Sequence, residues 1–186
     1  GRMAVRAPKV LELGCGTGWL SGALSERCGA RVTGVDLSEE AVEQARRTFP
    51  HLEFHAGDAL TLGLEGPFDA IVSADVLAHI PNQQAVIDLM ARLLRPGGTF
   101  VLMTQNSFVW LRSSYLMERG KGQYRDWPSL SRIRSMLARE FRIVHVSSLA
   151  PGGDQGILRL AHSPYVSGVL RRIIGTQRLT ALKERI

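Results

Sequence analysis

Three glycines at alternate positions, Gly14, Gly16 and Gly18, follow directly on the apolar run Val10-Leu11-Glu12-Leu13, and a helical pattern opens at Trp19-Leu20. No other stretch limits the fold so strongly. A turn this dense in glycine lets backbone approach a ligand closely, because no Cβ intervenes. Such a turn, after a buried strand and before a helix, is the delivery point of a nucleotide-binding α/β sheet. The segment Gly14 to Gly18 is therefore read as a cofactor loop.

The rest of the chain alternates in the same way. Strands are expected at Lys9–Leu13, Arg31–Asp36, Leu52–Ala56, Phe68–Ser73, Thr99–Met103 and Phe141–Leu149. Helices are expected at Trp19–Cys28, from the Ser38 cap to about Thr48, from the Asn82 cap to about Leu94, and over Ser129–Glu140. Gly29 stops the first helix and Pro50 prevents continuation of the second. Residues 74–81 read as a connection and Arg95-Pro96-Gly97-Gly98 as a turn. Regular alternation argues for an α/β fold, doubly wound, with a mostly parallel Rossmann-like sheet and helices on both faces. At 186 residues the chain fits a single domain, 1–186. Within it, 9–104 form the cofactor-binding core, 105–128 a lid on the acceptor side, 129–149 a helix and sixth strand, and 150–186 a basic helical tail.

Composition excludes several classes. No apolar run is long enough to span a membrane, and the N-terminus has no signal-peptide architecture, so a cytoplasmic setting is expected. Two cysteines, Cys15 and Cys28, make neither a disulfide framework nor a zinc site, and no metal is expected. Charge is uneven. Residues 1–106 hold nine Lys/Arg against twelve Asp/Glu, and residues 107–186 hold fourteen against five. The scattered arginines of the second half read as a solvated face rather than a nucleic-acid stripe.

The loop itself selects among nucleotide-like ligands. The dinucleotide fingerprint asks for Gly-x-Gly-x-x-Gly, and Trp19 occupies the last glycine's place. No Gly-Lys-Ser/Thr is present, so a triphosphate loop is excluded. An acidic residue at the second strand tip, Asp36, then suits an adenosine ligand without phosphates; the same residue could instead cap the helix that starts near Ser38. S-adenosylmethionine is such a ligand.

Four landmarks make a resemblance plain: Val10-Leu-Glu-Leu-Gly-Cys-Gly-Thr-Gly18, Val32-Thr-Gly-Val-Asp-Leu-Ser38, Gly57-Asp58-Ala59, and Leu93-Leu-Arg-Pro-Gly-Gly-Thr-Phe-Val-Leu102. In order and spacing, from residue 9 to about 149, the chain resembles the class I S-adenosylmethionine-dependent methyltransferases. Within them it is most similar to the small-molecule branch typified by ubiquinone- and menaquinone-biosynthesis enzymes. The resemblance implies S-adenosyl-L-methionine as cofactor, S-adenosyl-L-homocysteine as product, and a small-molecule acceptor. It implies that Gly14, Cys15, Gly16 and Gly18 line the methionine part through backbone. Glu12 would position that loop and the ammonium group indirectly. Asp36 would accept from the ribose hydroxyls, Leu37 would cover the adenine, Asp58 would accept from its amino group and the Ala59 amide would donate to a ring nitrogen. Ser73 and Ala74 would close the methionine side.

Methyl transfer from a sulfonium is an in-line displacement, and it needs a base only where the acceptor must lose a proton. His79, in Asp75-Val-Leu-Ala-His-Ile-Pro81, is the candidate catalytic and substrate-side residue; it could equally bond backbone at the connection. Related sequences often read Leu-Glu-His-Ile-Pro here, and Ala78 replaces that acid. Trp110 and Tyr115 are expected on the substrate side, among five of the chain's twelve aromatics that fall in 105–127. The Asn/Asp-Pro-Pro-Tyr/Phe signature of nucleic-acid amine methylation is absent after the fourth strand. Two rivals remain: an RNA methyltransferase resting on the basic half, and a cofactor-binding protein without turnover. The resemblance also implies N-terminal helices and a seventh, antiparallel strand that this stretch does not supply, so the chain reads as clipped at both ends.

Overall fold

A computed structural model of the chain describes residues 6–105, 107 and 124–147. The chain divides into two compact units, Gly1–Gln105 with Gly122–Arg142, and Asn106–Lys121 with Ile143–Ile186.

In the first unit the elements run β1 (Lys9–Leu13), α1 (Trp19–Cys28), β2 (Arg31–Asp36), α2 (Glu39–Thr48), β3 (Glu53–Ala56), β4 (Phe68–Ala74), a 3-10 turn (Leu77–His79), α3 (Gln83–Leu93), β5 (Leu94–Met103) and α4 (Leu130–Leu137). The five strands form one parallel sheet in the order β3-β2-β1-β4-β5. The expected α/β, doubly wound class is what the chain adopts. Strand order reverses direction between β1 and β4, so the loops leaving those two strands part to opposite sides. That crevice, outside the carboxyl ends of the strands, is where α/β sheets bind ligands.

Side chains alternate between the two faces of the sheet, and β1 is buried on both. On one face, Leu11 and Leu13 of β1 pack with Val35, Ile71 and the α3 residues Val86, Met90 and Leu93. On the other, Val10 packs with Ala30, Val32 and Leu24 of α1, while Val42 and Ala45 of α2 meet Phe54 and Cys15. Leu11 and Ile71 are fully buried; side chains of this kind each contribute about 1.5–3 kcal/mol on leaving water. Local signals act as expected. The Ser38 hydroxyl accepts the Ala41 amide at 3.2 Å to start α2, and Asn82 Oδ1 accepts the Ala85 amide at 3.1 Å to start α3. Gly29, at φ 62, ends α1, its amide on the Ser25 carbonyl at 2.9 Å.

Several boundaries differ from the sequence reading. β3 starts at Glu53, β4 runs one residue further to Ala74, and the connection after it contains the 3-10 turn. The turn expected at 95–98 lies inside β5. Phe68 pairs with Leu94 and Ala70 pairs with Thr99, so residues 95–98 are looped out of an otherwise continuous ladder. Asp69 holds that bulge. Its carboxylate accepts from Arg95 Nε at 2.7 Å, from the Lys9 amide at 2.8 Å and from Arg6 at 3.1 Å.

The last described helix, α4, stops at Leu137 rather than Glu140. Its residues Ile133, Met136 and Leu137 pack with Leu77 and Ile87. Of the sixth strand expected over 141–149, residues 141–147 are irregular. An extended run becomes a strand only beside a hydrogen-bonded neighbour, and the described sheet ends at β5. Residues 148 and 149, the basic tail over 150–186 and most of the lid segment lie outside the described residues. Of the second unit, residues 143–147 place Ile143, Val144 and Val146 in solvent.

Candidate functional site

Every loop singled out for the cofactor leaves the same edge of the sheet. The Gly14–Gly18 turn follows β1, Asp36 ends β2 and Leu37 follows it, Gly57-Asp58-Ala59 follows β3, and Asp75 to Ile80 follow β4. Parallel pairing alone produces this convergence, since all four strands end on one side.

The glycine loop is hooked to β2. The amides of Gly14 and Cys15 both donate to the Val35 carbonyl, at 2.7 and 3.0 Å. The Gly16 amide donates to Asp36 Oδ2 at 2.8 Å, and the Ser38 amide to Asp36 Oδ1 at 2.9 Å. The carboxylate thus steadies Ser38, the residue that caps α2, and also orients the loop. An ionised carboxylate offers about four lone-pair sites, and two are taken. The remaining two suit a vicinal diol. Gly16 has φ +51, and a Cβ built there would meet nothing within 4 Å, so its face is open to a ligand. Gly18, at φ +81, is constrained by packing instead. A Cβ there would lie 2.9 Å from Phe54 and 3.0 Å from Ala45.

Beside this polar anchor stands an apolar one. Leu37 is 73% exposed, a whole isobutyl group left in water next to the carboxylate. Asp58 Oδ1 accepts the Leu60 amide at 2.9 Å, and the Asp58 carbonyl accepts the amides of Thr61 and Leu62. Ala59 is buried within the core and fixes that turn. Ser73 is buried at the end of β4 in register with Leu13, and Ala74 follows, half-buried. An adenosine-bearing cofactor without phosphates therefore fits the residues present: a diol acceptor, an apolar cover and an open glycine face lie on neighbouring loops.

Glu12 is buried under the loop, where its carboxylate accepts the Ser21 hydroxyl of α1. Burial pushes its carboxyl up to about 7, with Ser21 opposing and the Asp36 charge adding. Cys15 is buried too. Burial, then the nearby Glu12 and Asp36 charges, push its thiol up to about 12, which leaves it protonated and unreactive.

On the β4 side, Val76 lies against the glycine loop: a Cβ on Gly14 would fall 1.9 Å from Val76 Cγ2. Asp75 was not singled out by the sequence. It has φ +58, the one positive value at a non-glycine residue among those described, and its amide donates to the Met103 carbonyl at 2.9 Å. Nothing in the sequence announced it, beyond the tolerance of aspartate for this region. His79 ends the 3-10 turn, exposed, with Nδ1 3.3 Å from the Tyr124 carbonyl. Trp110 and Tyr115 lie outside the described residues. A cavity of about 490 Å³ opens at the opposite end of the sheet, among Lys9, Arg31, His51, Glu53 and Phe68. Its lining mixes opposite charges without convergence, so the chemistry is assigned to the strand C-termini.

Comparison with known proteins bears on the family and the fold. Residues 10–98 match a family model described as a methyltransferase domain. Over 164 residues the chain is 32% identical to a ubiquinone biosynthesis O-methyltransferase of Xanthomonas campestris pv. campestris, covering 80% of this chain and 68% of that one. A crystal structure of the PH0226 protein from Pyrococcus horikoshii OT3 superposes with a TM-score of 0.68, at 24% identity over 78% of each chain. The SAM-bound structure of CalS10, an amino pentose methyltransferase from Micromonospora echinaspora, gives a TM-score of 0.51 at 27% identity, covering 55% of this chain and 45% of that one.

Proposed function

Because the chain belongs to the class I S-adenosylmethionine-dependent methyltransferases and uses that cofactor, we propose that it methylates a hydroxyl oxygen on a small ring compound of partly apolar character. The oxygen acceptor rests on the similarity to ubiquinone biosynthesis O-methyltransferases. A small acceptor also suits the charge of the site. Asp36, Asp58 and Asp75 all stand at the strand C-termini, and three carboxylates there oppose a phosphate backbone.

The cofactor supplies a methyl group already activated by its sulfonium. The residues supply position. Asp36, pre-oriented by the Gly16 and Ser38 amides, takes the ribose hydroxyls on its two remaining lone pairs. Leu37 covers the adenine, Asp58 accepts from the exocyclic amine and the Ala59 amide donates to the ring. Gly14 to Gly18 pass along the methionine portion, with Ala74 closing that side. Glu12, through Ser21, holds β1 and α1 at the spacing the loop needs. The Nε2 atom of His79 takes the proton of the acceptor hydroxyl as the oxygen's electron pair bonds the methyl carbon. The cofactor, when bound, would keep the carbon–sulfur electron pair on sulfur as its methyl leaves; His79 returns its proton to water.

The observation that carries this reading is the Asp36 carboxylate, held by two backbone amides with two lone pairs open. Calorimetric titration of Asp36→Ala with S-adenosylmethionine tests it. Loss of hydrogen bonds to a charged group predicts an affinity drop of about 10-fold or more; unchanged affinity refutes the geometry. For the acceptor, transfer of labelled methyl is compared across phenols, catechols, amines and RNA. Labelling of a ring hydroxyl is expected, and labelling of RNA or amines alone would refute it.

A further inference from the structure

The 3-10 turn that carries His79 is held by a side chain that the helix behind it does not require. Gln83 is the first residue of α3 and is buried. The cap of α3 is already made by Asn82. Gln83 spends its amide elsewhere: Nε2 donates to the Leu77 carbonyl at 3.0 Å and to the Asp126 carbonyl at 2.7 Å. Both protons of one amide nitrogen thus join two segments that are remote in sequence. Its Oε1 is buried and accepts nothing. Turning the amide over would set that oxygen against two carbonyl oxygens, so the observed orientation is the one chemistry permits. An unpartnered buried oxygen is costly, and what it secures here is the junction between turn and strap.

The strap, residues 124–128, is tied down from both directions. The Asp126 amide donates to the Ala78 carbonyl at 2.7 Å, and Arg132 Nη1 of α4 donates to Asp126 Oδ2 at 2.6 Å. Together with the Gln83 clamp, these bonds put the Tyr124 carbonyl 3.3 Å from His79 Nδ1. A carbonyl can only accept. The nitrogen facing it therefore carries the proton, and in the neutral ring the lone pair is on Nε2.

We infer that Gln83 is a positioning residue: by clamping the strap to the turn it selects the His79 tautomer whose Nε2 is a proton acceptor. The inference rests on the reading of His79 as the acceptor's base, but its test separates the two. The two tautomers of a free ring are close in energy, so one hydrogen bond biases them by about five- to tenfold. Ala78 supplies the turn with a carbonyl for the strap and no acidic side chain that would orient the ring instead.

The experiment is nitrogen NMR of the full chain with labelled histidine, followed through a pH titration and read on the neutral ring. In the wild type, His79 is expected with its proton on Nδ1. In Gln83→Met, which keeps the bulk and removes both donations, the Nε2-protonated form is expected to rise to a comparable population. With an acceptor identified, kcat then falls about twofold, in line with the loss of the active tautomer, while the affinity for S-adenosylmethionine stays unchanged. A wild-type ring protonated on Nε2 overturns the inference, as does an unchanged tautomer ratio in Gln83→Met. The wild-type spectrum can still overturn the inference even if that variant fails to fold. His79→Gln addresses the other reading. Full kcat in that variant would remove His79 as base while leaving the tautomer assignment intact.

Discussion

At the scale of single residues, Glu12 couples the loop to pH. Its carboxyl sits near 7 in the fold against 4.5 when free, because burial disfavours the charge. Between those values the folded chain binds the proton and the unfolded chain does not, so stability falls as pH rises from about 4.5 to 7. The full penalty, on the order of 3 kcal/mol, is present above pH 7. Glu12→Gln keeps an acceptor for Ser21 and cannot ionise. Urea unfolding should show it flattening this slope and gaining stability at pH 8, by up to about 3 kcal/mol. Asp75 is the second residue with a local cost, a left-handed backbone worth about 1 kcal/mol of strain. Asp75→Asn tolerates the same φ, so its melting temperature should match wild type while acceptor turnover changes. Equal turnover would mean the carboxylate faces no acceptor.

At the scale of elements, the bulge in β5 depends on Asp69. The Lys9 amide, then Arg95 and Arg6, hold its carboxyl down to about 2. That stability is present above the free value near 3.8 and is lost as pH falls toward 2. Asp69→Asn should therefore be less stable at neutral pH and lose less on acidification, which circular dichroism through an acid titration would show. Helix α1 makes a separate prediction. Its buried residues are Ser21 and Gly22, and a Cβ on Gly22 would lie 2.3 Å from the Phe49 ring. Gly22→Ala gains about 1 kcal/mol of helix propensity yet forces Phe49 aside at about 1–3 kcal/mol. A net loss in chemical denaturation is expected. The same close packing shows where the sequence was readable. Caps at Ser38 and Asn82 and stops at Gly29 act within one turn of chain, so their residues announce them. The bulge at 95–98 was read as a free turn because only the pairing of Phe68 and Ala70 with β5 reveals that the ladder resumes beyond it.

At the scale of the whole molecule, the parallel sheet gathers four strand ends on one edge, and ligand binding there should report on the fold. Cofactor at about 100 times its dissociation constant should add about 2.7 kcal/mol, seen as a rise in melting temperature that Asp36→Ala cuts by about half or more. The cofactor half of the site was legible because glycine spacing and an acid at a strand tip are local patterns. The β4 side of the candidate site was not. Asp75 is marked by a backbone angle, and Gln83 and the 124–128 strap meet the turn through contacts 43 to 48 residues apart in sequence, which no local pattern encodes. One further consequence comes from Cys15. Its thiol belongs to the cofactor loop and is buried against Val42, Ala45 and Phe54; with its proton held to about 12, it cannot be alkylated until the loop lifts. With the exposed Cys28 changed to serine, the alkylation rate of Cys15 becomes a measure of how often the loop opens, and its slowing by ligand gives the free energy with which the occupied loop is held shut.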